Sequence, residues 1–425
     1  MRYRNQLVVI LVSAVTTGLV ILLALNLSLG NKPIDTRITR HYDVGDPQFP
    51  RAMGSVLTPH LVGGNRVRGL QNGEEIFPAM LNAIRSAQRT ITLETYIYWS
   101  GTIGDEFSAA LAERARSGVQ VHILLDWFGG RLDDGFLERM RASGAEIRRY
   151  NAPHWYTLDH LNNRTHRKLM VVDGRIGFIG GVGLADHWRG AAQDPGHWRD
   201  THFEVKGPVV AQMQSAFIDN WIQSTGDVLH GDAYLPELEH AGTANAQVFT
   251  SSPGGGGESM QLMYLMSITA AKQSIRLSAS YFVPDDVAID SLVAALERGV
   301  RVQIILPGRH IDFPIVRRAS RAAWGRLLEA GAEIHEYQPT MFHCKVMVVD
   351  ELWVSVGSTN FDTRSFSIND EANMNVYDAA FARRQIEVFE NDLGRSRQIT
   401  LAEWRRRPWW EQALDSAASL LSSQL

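Results

Sequence analysis

The chain opens on an apolar run and then changes character. Leu7 to Leu25 (LVVILVSAVTTGLVILLAL) carries no charge over nineteen residues, and the uncharged stretch continues to Asn31. A helix of that length spans the hydrocarbon of a bilayer, and the apolar region of a cleaved signal is shorter. Residues 1–30 are therefore read as an uncleaved transmembrane anchor. A cleaved signal, with Ser28-Leu29-Gly30 as a poor cleavage site, and a buried core helix are the competing readings. Arg2 and Arg4 precede the run, while Lys32, Arg37 and Arg40 follow it, a nearly balanced count. A short basic tail at the N-terminus ordinarily stays in the cytoplasm. The expectation is a single-pass protein of the cell (inner) membrane whose remaining residues lie on the extracytoplasmic side. Residues 31–60 read as a linker.

Beyond residue 60 the pattern alternates between helical periodicity and short apolar runs rich in β-branched residues, and it does so twice. AIRSAQRTITLETYIY (Ala83 to Tyr98) matches SITAAKQSIRLSASYF (Ser267 to Phe282), each the end of a helix and then a strand. LAERARSGVQVHILLD (Leu111 to Asp126) matches VAALERGVRVQIILPG (Val293 to Gly308), and RASGAEIRRY (Arg141 to Tyr150) matches LEAGAEIHEY (Leu328 to Tyr337). The matching blocks keep one order and lie about 180 residues apart. Any one pair is generic α/β similarity; the ordered series predicts a duplication. Alternating helices and strands imply α/β halves with a sheet covered on both faces. The polar stretch His230 to Gln247 separates them, so the halves are placed at 61–240 and 241–425.

Both series then reach the string His-x-Lys-x-x-x-x-Asp. It stands once as His166, Lys168 and Asp173 and again as His343, Lys345 and Asp350, and each Asp is followed by six residues and then Gly-Gly or Gly-Ser. The runs Leu169 to Val172 and Val346 to Val349 read as buried strands. Side chains alternate along a strand, so His166 shares a face with Lys168 and His343 with Lys345, while Arg167 and Cys344 point the other way. A phosphoryl-transfer site without a metal needs a nucleophile, an acid for the leaving group and fixed positive charge, and the two strings supply all three. Asp173 and Asp350 belong to the same catalytic strings; they end the strands and read as structural supports of the site.

Composition sharpens this. The chain has 37 arginines and only five lysines, and two of the five occupy matched places in the strings. A compact ammonium is wanted there rather than a planar fork. The net charge of −4 weighs against nucleic acid as a partner. Cys344 is the single cysteine, so an intrachain disulfide is excluded, and its orientation makes it a packing residue. His154, His160, His187, His197 and His202 crowd the first string but lack metal-ligand spacing; no metal and no cofactor is expected. SSPGGGG (Ser251 to Gly257) lacks the ending of a phosphate-binding loop and reads as a flexible loop near the site. Trp404, Trp409 and Trp410 with Arg405 to Arg407 read either as a membrane-facing patch or as the packing of a terminal helix.

The assembled motifs resemble the phospholipase D superfamily and, within it, the bacterial cardiolipin synthases. The resemblance rests on HCKVMVVD, GSTNFDTRS (Gly357 to Ser365) and NDE (Asn369 to Glu371) in the second half. In the first half it rests on HRKLMVVD, GGVGLADHW (Gly180 to Trp188) and WRDTHFEVKGP (Trp198 to Pro208), with ETYIY (Glu94 to Tyr98), YFVPD (Tyr281 to Asp285) and WRRRPWWEQ (Trp404 to Gln412) besides. It covers roughly residues 60 to 412. It implies two pseudo-symmetric α/β/α sandwich domains with one active site at their interface, since each copy brings one imidazole and the chemistry needs two. By resemblance, His166 is the nucleophile that forms a phosphohistidine and His343 the acid; Lys168 and Lys345 hold the phosphate oxygens; Ser358 and Asn360 add hydrogen bonds to the phosphate. Asp200 and Glu371, which follow their histidines by 34 and 28 residues, are the carboxylates that orient the rings. The pattern departs from the family at Gly183, where Asn is usual and where the second half has Asn360. The resemblance implies phospholipid substrates at a membrane and a phosphatidyltransferase that joins two phosphatidylglycerols into cardiolipin. A hydrolytic phospholipase D is the nearest alternative, a nuclease of the same superfamily a more distant one, and a non-enzymatic membrane scaffold the last.

Overall fold

The computed structural model describes residues 2–27, 34–153, 162–253 and 258–424. Its centre is a mixed sheet of fifteen strands. From one edge the strands run Glu146–Tyr150, Gln120–Asp126, Thr90–Thr95, Leu169–Val172, Ile176–Gly180, Thr201–Lys206 and Val62–Gln71. There the sheet passes to Ala244–Ser251 by antiparallel pairing and continues through Glu371–Tyr377, Trp353–Gly357, Lys345–Val349, Ser274–Ala279, Arg301–Pro307, Glu333–Tyr337 and Ser396–Ile399. Read outward from the central pair, the strands of 62–206 and of 244–377 follow one order of connections; Ser396–Ile399 is the extra edge strand of the second series. In each series three strands run parallel, joined by helices, and the His-x-Lys strand lies antiparallel beside the first of them.

The period-two pattern sets which face each strand buries. Leu169, Val171, Ile179, Phe203 and Val205 pack with Val346, Val348, Val354, Val356 and Met374 in one apolar cluster shared by both series. The opposite faces are covered by helices. Asn72–Ser86, Thr102–Arg116 and Asp134–Ala142 cover the first series, and Glu258–Ala270, Asp286–Glu297 and Pro314–Glu329 cover the second. The chemistry therefore collects where the parallel strands end, the usual crevice of an α/β sheet.

One expectation changes. The stretch expected as a linker is folded from Val44 onward. Helix Gln48–Val56 puts Phe49 and Met53 four residues apart on one face, and Val44, Phe49, Met53 and Leu57 are all buried in the core of the second series. Phe49 meets Trp353 edge-on at 5.0 Å, and Val44 N–H donates to the Ala270 carbonyl at 3.2 Å. The apolar run at the start lies in a helix, Arg2–Leu27. The side chains of Leu7, Leu23 and Leu25 lie outside the described residues, and among the described residues no helix is long and apolar enough to cross a membrane.

Candidate active site

Two isolated backbone bridges join the ends of the His-x-Lys strings to the other series. His166 N–H donates to the Asp370 carbonyl at 2.8 Å, and Asp370 N–H to that of Arg164 at 2.8 Å. His343 N–H donates to the Arg199 carbonyl at 2.7 Å, and Arg199 N–H to that of Met341 at 2.9 Å. Each bridge sets one string beside the residue that precedes the other series' carboxylate. The pairing implied by sequence spacing is thereby corrected, because the carboxylates cross over. His166 Nδ1 lies 2.9 and 3.0 Å from the two oxygens of Glu371, and His343 Nδ1 lies 2.7 Å from Asp200 Oδ2.

Both carboxyls are held below the usual carboxylate range by the imidazole they face, against the opposing effect of burial. Being acceptors, they fix Nδ1 as the donor in each ring and leave Nε2 with its lone pair. Burial lowers the proton affinity of His166 to about 4, the neighbouring carboxylate opposing it. Burial, with the Lys345 charge, lowers that of His343 to about 3. Both rings are thus neutral near pH 7 in the unliganded site.

The lysines share the site. Lys168 Nζ donates to the His166 carbonyl at 2.7 Å and lies 5.6 Å from the centre of the Tyr96 ring; burial brings its proton affinity down to about 7. Lys345 Nζ donates to Ser280 Oγ at 2.6 Å and to the His343 carbonyl at 3.0 Å, and burial lowers it too. It also lies 3.3 Å from both His343 nitrogens, so the ammonium rests against the ring. With both lysines charged, two ammonium groups and two carboxylates balance, and a phosphodiester would bring the next charge.

The remaining expected residues sort clearly. Ser358 Oγ donates to Glu371 Oε2 at 2.5 Å, so its proton orients the carboxylate rather than meeting a phosphate. Asn360 Oδ1 accepts from Ser280 Oγ at 2.6 Å, which leaves the amide N–H as its donor. Asp173 and Asp350 stand at the far ends of their strands, roughly 15 Å along the chain from the lysines at ~3.3 Å per residue. Each adopts a positive φ, 52° and 50°, in the hairpin turn. Asp173 accepts the backbone N–H groups of Gln88, Arg89 and Thr90, and Asp350 those of Lys272, Gln273 and Ser274. Their work is to pin the turn to the start of the neighbouring strand.

Other contributors went unassigned in the sequence. Trp188 Nε1 donates to Asp200 Oδ2 at 2.9 Å, and Trp188 and Trp198 both pack on His343 with centroids 5.4 Å away. Tyr96 meets His166 edge-on at 5.3 Å. Tyr96 and Ser280 align in the repeat, both just beyond a strand that ends at the site, and that alignment was the signal for them. Gly183 has a steric cause: a Cβ there would come within 2.8 Å of Ile97 Cβ and 3.1 Å of the Trp188 ring. Gly181 likewise makes room for Asp200, whose Oδ1 would lie 2.5 Å from a Cβ.

Beneath the strings, Arg167 is fully buried; it donates to the Ala216 carbonyl at 2.8 Å and to Ser252 Oγ at 3.0 Å, with Asp370 at 3.8 Å. Cys344 is buried among Ile305, Tyr337 and Phe342, where burial pushes its thiol far up. Of the histidines near the first string, His154 and His160 lie outside the described residues. His202 is buried with neither ring nitrogen hydrogen-bonded among the described residues, and among those residues no group of three or more His, Cys, Asp or Glu is placed to hold a metal ion. Gly254 to Gly257 also lie outside them. Trp404 packs inward, its Nε1 donating to the Arg321 carbonyl at 2.8 Å, while Trp409 is 78% exposed.

A family model described as cardiolipin synthase, PLD-like domain, matches residues 80–190 and 264–393. The chain belongs to this family. Among its relatives, a cardiolipin synthase of Alkalihalophilus pseudofirmus is 34% identical over 360 residues, 84% of this chain and 71% of that protein. The major cardiolipin synthase ClsA of Bacillus subtilis is 34% identical over 84% of this chain and 75% of its own length. Among solved structures, phosphatidylserine synthase of Haemophilus influenzae superposes with a TM-score of 0.70 over 89% of this chain and all of that one, at 13% identity. Polyphosphate kinase of Porphyromonas gingivalis superposes with a TM-score of 0.55 over 90% of this chain and 57% of that one, at 14% identity. At such identities the two structures speak to the fold, in which this family shares the large mixed sheet.

Proposed function

We propose that this protein is a phosphatidyltransferase of the phospholipase D type that makes cardiolipin and glycerol from two phosphatidylglycerols. The observation that carries the reading is the crossed pair of imidazole–carboxylate contacts, which sets two neutral rings with free Nε2 atoms beside two lysines. His166 Nε2 attacks phosphorus and forms a P–N bond as the bond from phosphorus to the glycerol oxygen breaks. That oxygen takes the proton of His343 Nε2. The hydroxyl of a second phosphatidylglycerol then gives its proton back to His343, bonds to phosphorus, and the P–N bond to His166 breaks. Lys168 and Lys345 balance the charge on the non-bridging oxygens. A bound diester anion favours the protonated form of both rings, so His343 gains its proton as substrate binds.

The same reading takes residues 61–240 and 241–425 as two pseudo-symmetric domains around one site, supported by the common strand order and by the shared bridges, with Val44 to Leu57 added to the second. It takes the helix Arg2–Leu27 as a single-pass anchor in the cell membrane, supported by the uncharged run Leu7 to Leu25 and the exposure of its side chains, such as 68% for Leu11. The catalytic part lies on the extracytoplasmic side in this reading. Incubating the purified protein with phosphatidylglycerol and separating the lipids tests the activity. Cardiolipin and glycerol in equal amounts are expected, and phosphatidic acid without cardiolipin would overturn it. Recovery of the full chain in the membrane fraction, and release of a chain lacking residues 2–27, test the anchor.

A further inference from the structure

The two flanks of the site differ just beyond the strands that end there. In the repeat, Ile97 of the first series aligns with Tyr281 of the second, so an apolar side chain faces a phenol across the pseudo-symmetry. Tyr281 follows Ser280, the residue that holds the Lys345 ammonium at 2.6 Å. Its own carbonyl is fixed by Phe361 N–H at 3.1 Å. The Tyr281 hydroxyl donates to Asp312, with 2.9 and 2.8 Å to the two carboxylate oxygens. Phe313 N–H donates to Asp312 Oδ1 at 3.0 Å, and the Tyr281 ring is braced edge-on by Phe313 at 6.4 Å.

This pair is tied to the active site through Ser280, which precedes Tyr281 and is bonded to Lys345. Asp312 is close enough to Lys345 for their charges to interact. Tyr281 is similarly near Tyr96, whose ring touches His166. Asp312 is exposed, and a carboxylate oxygen carries more lone pairs than one phenol and one backbone N–H use. No charge in the described residues satisfies it by direct contact, as Asp392 satisfies Arg199 or Asp370 faces Arg167. A solvent-facing acceptor, oriented by two donors and within electrostatic reach of Lys345, is suited to hydroxyl groups of a molecule whose phosphate the lysine holds.

We propose that Asp312, held by Tyr281, receives the free hydroxyls of the alcohol that leaves or attacks phosphorus on the His343 flank, and so selects a glycerol-like alcohol over a simple alkanol or water. The inference rests on the transferase reading and extends it: Lys345 marks the phosphate, His343 handles the proton of the reacting oxygen, and Asp312 reads the hydroxyls next to it. The first-half flank, with Ile97 in the matching place, is left for apolar parts of the substrate. A site built to hydrogen-bond a hydroxyl discriminates strongly against an analogue lacking it, because its acceptor is otherwise left unpaired.

The test is acceptor competition with the full-length protein in mixed micelles of phosphatidylglycerol, with n-butanol present at fixed concentration. The ratio of cardiolipin to phosphatidylbutanol is read, which a merely structural loss would not move because both products pass through the same intermediate. Asp312→Asn is expected to shift the ratio toward phosphatidylbutanol by about tenfold. Tyr281→Phe should shift it the same way by about threefold, and Asp312→Glu should restore part of the preference. An unchanged ratio in Asp312→Asn and Tyr281→Phe, whatever their total rates, overturns the proposal while the transferase reading stands. If Asp312→Asn yields no product, the Tyr281→Phe ratio decides alone. Phosphatidic acid as the only product of the unsubstituted protein would instead overturn the transferase reading, and this inference with it.

Discussion

The surroundings of His166 and of His343 are built to one plan and furnished differently. Each ring gives Nδ1–H to a carboxylate from the other half. Glu371 is steadied by the Ser358 hydroxyl, whereas Asp200 is steadied by the Trp188 indole and the Thr201 N–H. Lys168 lies over the Tyr96 ring; Lys345 is bonded to Ser280, which is bonded in turn to Asn360. The buried ion pairs behind the bridges are inverted: an arginine of the string faces Asp370 on one side, and on the other Arg199, the counterpart of Asp370, pairs with Asp392 at 2.8 Å. The contacts that the reaction needs are retained twice, and everything one layer out is free to differ. The consequence is that His343 carries two indole rings and a hydroxyl–amide pair beside its lysine, while His166 carries one phenol ring and the Ser358 hydroxyl behind its carboxylate.

The largest test of this comparison removes one ring at a time. His166→Ala and His343→Ala are each expected to lower turnover by at least about 10⁴-fold. They should differ in denaturant-quenched single turnovers held at alkaline pH, where a P–N bond survives, with lipid radiolabelled at phosphorus: His343→Ala still labels the protein, and His166→Ala does not. The reverse pattern would exchange the two roles.

The crossover comes next. Glu371→Gln and Asp200→Asn should each cost on the order of 10²- to 10⁴-fold in kcat, the scale on which a ring loses its orienting carboxylate. Glu371→Gln should slow labelling of His166, although Glu371 lies in the other half. If Asp200→Asn slowed labelling instead, the crossed geometry would be wrong.

A smaller effect separates the lysines by pH. His166 must be neutral to attack and Lys168 charged to bind the phosphate. kcat/KM should therefore fall steadily with rising pH as the free His343 ring, at about 3, becomes harder to protonate, and fall more steeply above about 7, where Lys168 loses its proton. Lys168→Arg should remove the upper limb, since a guanidinium stays charged; an upper limb that survives would assign it to another group. The smallest effect concerns Gly183. Gly183→Ala should cost about 1–3 kcal/mol of stability through overpacking against Ile97 and Trp188, read as a lowered Tm, and Ile97→Ala should recover part of it.

Much of this was written in the chain. The doubled strings, the alternating elements and the strand faces of His166, Lys168, Arg167 and Cys344 follow from periodicity, which acts locally. The partner of each ring did not follow, because Asp200 and Glu371 are each the near carboxylate in sequence to the wrong histidine; only the facing of the two halves exchanges them. The role of Ser358 was misjudged for the same reason, its acceptor being a side chain positioned by that exchange. Phe49 and Met53 were lost in a segment whose short amphipathic helix has no partner nearby in sequence. Gly183 was visible as a departure, but its cause, Trp188 and Ile97, is a matter of three-dimensional crowding.

That misjudged segment has a mechanical consequence. The first half continues into the second through Ala244, and on its other side Val44 to Leu57 is sunk into the second half's core. It is thus tethered at both ends. Swinging the halves apart would pull Phe49 and Met53 into water, at about 1.5–3 kcal/mol each, and would also tear the strand pairing at the centre. The substrate therefore meets parts that are already held together, and the imidazole–carboxylate pairs stand preassembled before it arrives.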